Sequence, residues 1–361
     1  MARALAWFWG IVALVLLAGA VTLQLLGPPP HPAAIASAEP PALPPHAEAA
    51  KPPPVIAPPP ASPPPSVTPL SVAQLPRPTS PRSRSIPPPD PALMEMSAIY
   101  PDRLLPKIGA DGRLPMNVYA GAIDPADTRP RIAILVSDMG MSGQESDAAI
   151  TTLPPAISLA FSPYADLPPS LLQSARQHGH ESLVAVPMEP QNAPLNDAGP
   201  QALQTGVPTL ENIRRLEWTL TRMTGYVGAT GGLGHLHGER FAASSEQMGL
   251  LLGELSQRGL FYIDPRPPAA GKPPINAPGS RGVDLVIDAP ALRNEIDARL
   301  AQLEQLAITR GSALGLVDDP APMTIERLVP WAASLAQRGI ALVPASALVI
   351  PPAPKPAAAP Q

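Results

Sequence analysis

The sequence predicts an α/β fold, a (β/α) barrel of about seven to eight parallel strands. Three observations predict it. Ile132–Ser142 reads IAILVSDMGMS, five apolar residues followed by Ser137-Asp138 and then Met139-Gly140. A short aliphatic, β-branched run of this kind is the pattern of a buried parallel strand. Seven further apolar runs follow, with helical patterns among them. Alternation of that sort implies a parallel sheet with helices packed on it. Polar residues also recur where the runs end, and in β/α folds that is where sites gather.

Composition narrows the function classes. The chain has 361 residues, of which 56 are Pro, concentrated at the two ends. The foldable stretch, 131–350, is long enough for one α/β domain with a substantial core. The net charge of −4 gives no sign of a nucleic-acid partner. Cysteine is absent, which excludes disulfides, Cys-ligated zinc and a thiol nucleophile.

In chain order, residues 4–27 read ALAWFWGIVALVLLAGAVTLQLLG, without a charge. About 20 such residues span a bilayer. Arg3 lies on the short side, and the other side has no Lys or Arg until Lys51. The positive-inside rule then places the N-terminus in the cytoplasm and the domain in the periplasm. Residues 1–27 are therefore expected to be a membrane anchor or a signal segment, with Ala18-Gly19-Ala20 as a cleavage motif in the second case. Length favours an uncleaved, single-pass inner-membrane anchor. Residues 28–90 contain 24 Pro among 63 residues. They are expected to form a disordered, extended linker across the envelope. Residues 91–130 regain apolar content and are read as a lead-in packed on the domain. The domain is assigned to 131–350 and a disordered tail to 351–361.

Strands are expected at 132–136, 157–161, 183–186, 226–229, 260–263, 284–287, 313–317 and 341–343. Leu210, Ile213, Leu216, Leu220 and Met223 keep helical spacing. So do Met248, Leu251, Leu252 and Leu255, closed by Gly259, and Ile296, Leu300, Leu303 and Leu306, closed by Gly311. Asp138, Glu189, Asp264 with Arg266, Asp288, and Asp318-Asp319 follow five of these strands. In a barrel they would converge on one rim. Singly, each has a plainer reading, since Asp is a common helix N-cap.

The ordered motifs SDMG (137–140), SPYA (162–165), GHE (179–181), PMEP (187–190), NDAGP (196–200), GYVG (225–228), FYID (261–264), VIDA (286–289) and LVPAS (342–346) resemble the divergent polysaccharide deacetylase family of bacteria. The resemblance implies a deformed (β/α) barrel related to metal-dependent carbohydrate deacetylases. Those enzymes remove acetyl groups from sugars with a divalent metal, usually zinc, an Asp base and a bound water. A metal-bound water ionises near neutral pH and attacks the acetyl carbonyl. Such a site needs three protein ligands and an open position.

Against that pattern the chain departs at several positions. The family's Asp-Asp pair after the first strand is Ser137-Asp138 here, so the base position has no carboxylate. The family histidine after GYVG falls at Gly232. A later Gly-His-Pro is replaced by Val317-Asp318-Asp319-Pro320. Asp264 and Arg266 fit an Asp-Ser-Arg pattern with Pro265 in the middle, and Asp288 fits a later aspartate. The resemblance makes Asp138, Asp264 and Arg266 the candidate catalytic residues, and Glu189, Asp288 and Asp318 the candidate substrate pocket. His235 and His237 lie just past the lost motif. If extended, H-x-H sets both imidazoles on one face, where they could join Asp138 as metal ligands. The opposing reading is a solvated glycine-flanked loop, with no metal at all. His178 and His180, near a helix end, are read as capping or packing residues.

Two functions are consistent with these residues. One is an exported, membrane-anchored relative of the deacetylases acting on or binding envelope carbohydrate. The other is a catalytically inactive barrel serving as a glycan-binding or scaffold module. The expected partners are envelope glycan and the inner membrane.

Overall fold

A computed structural model describes residues 85–268 and 275–351. The expected anchor at 1–27, the linker up to residue 84 and the tail from 352 lie outside them. No helix of the described residues is long and apolar enough to cross a membrane.

The chain is packed from its first described residues. Ile86 is buried and its N–H bonds the Arg176 carbonyl. Asp90 caps a 3-10 turn at Pro91–Leu93 through the Ala92 N–H. The lead-in then forms an antiparallel pair, β1 (Met94–Met96) with β2 (Leu104–Pro106), and a short helix, α1 (Pro115–Val118).

The main sheet begins at β3 (Arg131–Met139). It continues with α2 (Gly143–Thr152), β4 (Ser158–Phe161), α3 (Pro169–His178), β5 (Ser182–Ala185), α4 (Thr209–Leu220) and β6 (Gly228–Thr230). Next come α5 (Glu239–Ala242), α6 (Ser245–Gln257), β7 (Phe261–Asp264), β8 (Ser280–Gly282) and β9 (Leu285–Val286). The last elements are α7 (Arg293–Arg310), β10 (Ser312–Val317), α8 (Pro322–Leu335) and β11 (Ala341–Leu342). The ladder order is β8-β7-β6-β5-β4-β3-β10-β9, every pair parallel. The α/β class and the parallel sheet with its helices thus agree with the sequence reading, and the sheet has the form of a half-barrel where the sequence predicts a barrel.

Two refinements follow from the ladders. The eighth expected strand, β11, does not extend the order. It pairs with Arg131 and Ile132, on the edge of β3 whose later residues pair with β4. And one extended segment borders both ends of the order. Its first half, β8, pairs with β7, while its second half, β9, pairs with β10. Between them Val283 N–H bonds the Asp264 carbonyl and Asp284 N–H bonds the Leu314 carbonyl.

The period-2 alternation of strand side chains sorts the core into two layers. Ile132, Ile134 and Val136 face the helices, with Leu216, Leu220, Leu300 and Leu303. Ala133 and Leu135 face inward, with Leu183, Phe261, Ile263, Leu314 and Leu316. Burying each large apolar side chain stabilises by about 1.5–3 kcal/mol. The inner layer is covered at the N-terminal end of the strands by Leu93, Met116, Tyr119 and Ala345.

A buried carboxylate fastens that end. Glu181 accepts from Ser158 Oγ (2.7 Å), Gly121 N–H (3.1 Å), Ser346 N–H (2.9 Å) and Ser346 Oγ (2.6 Å). The motifs GHE and LVPAS therefore meet, together with Gly121 of the lead-in, in a structural hub on the side opposite the strand-end acids. His180 belongs to the same packing: its ring nitrogens face the Ile157 and Ile150 carbonyls at 2.8 and 3.0 Å.

Candidate functional site

At the other end of the strands the inward alternation runs on into polar residues. Ser137 follows Ala133 and Leu135, Asp288 follows Val286, and Asp318 follows Leu314 and Leu316. Asp138 reaches this rim by another route. The pairing of β3 with β4 shifts register between Val136 and Met139, so three steps on β3 match two on β4. Such a bulge re-aims a side chain and often sits beside a functional site. Asp138 is the only non-glycine residue with positive φ among the described residues, at 57°. Asp tolerates the left-handed region better than most, but the conformation is still strained.

The Asp138 carboxylate makes no hydrogen bond to another described residue. Burial, together with the charges of Asp319 and Asp318, pushes it up to about 6, and His235 partly opposes this. Asp319 is also raised, by burial and by Glu145 and Asp318. Asp138 and Asp319 are therefore free acids at the rim, with the exposed His235 as the imidazole facing Asp138.

Beside them lies a closed network. His237 Nε2 meets Asp318 Oδ1 at 2.8 Å. Asp288 accepts the backbone N–H of Asp318 (2.9 Å) and of Asp319 (3.1 Å). Burial pulls His237 down, but the Asp318 bond and the charges of Asp318, Glu239 and Asp264 outweigh it, so its pKa is raised. Asp288 is raised to about 6 by burial above all, despite the two N–H bonds.

The remaining sequence candidates are occupied. Asp264 is fully buried and its oxygens accept four bonds: Arg266 N–H, Arg266 Nε and Nη2, and Ile275 N–H. A carboxylate has about four acceptor sites, so Asp264 and Arg266 hold a loop and leave none for a substrate. Glu189 accepts from Thr205 N–H (2.8 Å) and Oγ (2.6 Å) and faces Arg240 Nε at 3.4 Å. It fixes the loop after β5 instead of joining Asp138. Thr205 and Arg240 were not legible as its partners, because they come from an aperiodic loop and from α5.

The H-x-H pair is not extended. Leu233 and Leu236 exchange backbone hydrogen bonds of 2.9 and 3.0 Å, closing a turn over Asp138. The turn leaves His235 exposed and His237 buried on Asp318. Gly232 lies in the inner layer next to Ser137, whose Oγ donates to the Gly232 carbonyl at 3.3 Å. A Cβ on residue 232 would lie 3.3 Å from Pro265 Cβ and 3.5 Å from Ser137 Oγ. Among the described residues no three His, Asp or Glu side chains are gathered to hold a metal ion. In this arrangement the donor set of Asp138, His235 and His237 does not fit one.

The chain is 28% identical over 137 residues to an uncharacterized protein of Haemophilus influenzae, a match spanning 38% of this chain and 46% of that protein. It superposes on the crystal structure of the uncharacterized protein ATU2773 from Agrobacterium tumefaciens C58 with a TM-score of 0.62 and 31% identity. That match covers 68% of this chain and all of the other. The family model described as divergent polysaccharide deacetylase matches residues 134–349, from the middle of β3 to the segment that plugs the N-terminal end of the sheet. More than half of the sequence carries the match, and this chain belongs to the divergent polysaccharide deacetylase family.

Proposed function

We propose that this chain is an exported, membrane-anchored family member that binds envelope carbohydrate at its acidic rim without metal-dependent hydrolysis. The observation that carries this reading is the division of labour at the rim. Asp138 and Asp319 are free, whereas His237 and Asp318 are committed to each other. Free carboxylates accept hydrogen bonds from sugar hydroxyls, and Asp138, titrating at about 6, also donates when protonated. Zinc hydrolysis needs three ligands at about 2.0–2.2 Å and an open position. Here Ser137 and Gly232 supply no carboxylate or imidazole, and His237 already holds Asp318.

The test is zinc content and acetate release by the purified full-length chain. Well under one equivalent of zinc should survive dialysis, and acetylated chito-oligosaccharides should release no acetate. Retained stoichiometric zinc together with acetate release would replace this reading with the hydrolytic one. In that case His235→Ala and His237→Ala should each abolish both.

A further inference from the structure

The long connection after β5 builds a second feature on the same face of the sheet. Residues 186–208 lack any helix or regular strand. Connections longer than about 12–15 residues without secondary structure are uncommon in compact domains and usually either functional or disordered. This one is held firmly. Glu189 fixes Thr205, as described above, and Tyr164 Oη donates to the Ala198 carbonyl at 2.9 Å and accepts the Gln201 N–H at 3.1 Å. The fully buried Asn212 exchanges bonds of 3.0 and 2.8 Å with the Gln204 backbone, and Arg215 donates to the Ala202 carbonyl at 2.6 Å. Gly199, at φ 89°, lies under the Tyr164 ring, where a Cβ would come within 2.6 Å.

The loop and α5 enclose a cleft of about 380 Å³. That is toward the lower end of the ~300–1,000 Å³ typical of small-molecule sites. Its lining mixes the apolar Pro190, Pro194 and Val207 with the polar Asn196, Gln204 and Arg240. The side-chain amides of Asn196 and Gln204 make no hydrogen bond to other described residues. Arg240 is 51% exposed beyond its contact with Glu189. A pyranose ring has the matching amphipathic form, with an apolar C–H face and a rim of hydroxyls.

We propose that this cleft is a carbohydrate subsite, taking one pyranose unit of a chain that the acidic rim also engages. The proposal rests on the carbohydrate-binding reading given above and names a distinct place for it. Gly206 lines the cleft, and a Cβ there would meet nothing within 4 Å. Gly206→Phe therefore fills the space without a clash at its root, and Gln204→Ala removes one amide.

The experiment titrates the full-length chain with N-acetylchitotetraose by calorimetry and maps the contact by amide hydrogen exchange. Protection of residues 190–207, with affinity reduced at least about tenfold in both variants, is the expected result. Where Gly206→Phe fails to fold, Gln204→Ala alone decides. Protection confined to 132–142 and 312–320, with wild-type affinity in the variants, would overturn the cleft while leaving the rim reading standing. Protection of the loop alone would keep the cleft and remove the rim. No binding of the oligosaccharide by the wild-type chain would overturn both.

Discussion

At φ 57° Asp138 holds its Cβ where an L residue crowds the following carbonyl, a conformation costing about 1–2 kcal/mol for most side chains. Asn shares the tolerance of Asp for this region, and Ala does not. Asp138→Ala should therefore be less stable than Asp138→Asn by about 1 kcal/mol. The charge adds a pH dependence. Burial and the neighbouring acids raise Asp138 from 3.8 to about 6. Between those values the native state binds more protons than the unfolded chain, so stability falls as pH rises through this range. Asp138→Asn removes the effect. It should be more stable than wild type above about pH 6, and the gap should close as pH falls below the unfolded value of 3.8. Thermal unfolding of the three proteins across this range checks both statements, and a gap that widened on acidification would contradict the assignment. Wild-type His237 contributes in the same sense: its pKa is raised, so its bond to Asp318 stabilises most at low pH and is lost as pH rises past the folded value.

Among the elements, the Glu181 hub has the clearest energetic consequence. Glu181→Ala would leave four donors without an acceptor, on Gly121, Ser158 and Ser346. Stripping a buried partner costs about 1–3 kcal/mol per group. The substitution should lower stability by about 3 kcal/mol or more in a denaturant titration, with oligosaccharide affinity unchanged in the folded fraction. A loss below about 1 kcal/mol would show that the hub is not needed. The apolar strands were legible because Ile132–Val136 and its relatives are continuous β-branched or aliphatic runs, and Gly259 and Gly311 mark helix ends by their positive φ. β8 was not legible. Its sequence, Ser-Arg-Gly, carries no strand pattern, and the segment is extended because the edge of β7 pairs with it. The β1–β2 pair was missed because three-residue strands carry too little alternation to detect. At the site, the acids were legible as strand-end residues, but their division was not. Asp264 and Glu189 look like Asp138 in sequence, and only the loops packed on them show that their oxygens are taken. The bulge that strains Asp138 is equally silent, since it arises from a register shift between two strands.

On the scale of the whole chain, the family match begins at residue 134, and the apolar segment at 4–27 precedes the described residues. The charge-free run with Arg3 on its short side gives the expected orientation. A periplasm-dependent reporter fused after Gln361 should be active, and a cytoplasm-dependent one silent. The reverse pattern would remove export from the proposed function.

The same hub also sets the order in which the domain can be completed. Gly121 and Ser346 both donate to Glu181, yet they stand near opposite ends of the packed chain. A chain emerging from the ribosome one residue at a time has the carboxylate and the first donor long before the last one. Until Ser346 arrives, the floor of the sheet lacks Ala345 and the inner apolar layer is only partly covered, by Leu93, Met116 and Tyr119. Closure of that floor is thus expected to be among the last events of biogenesis. A stalled or C-terminally shortened nascent chain would present that layer to chaperones and proteases.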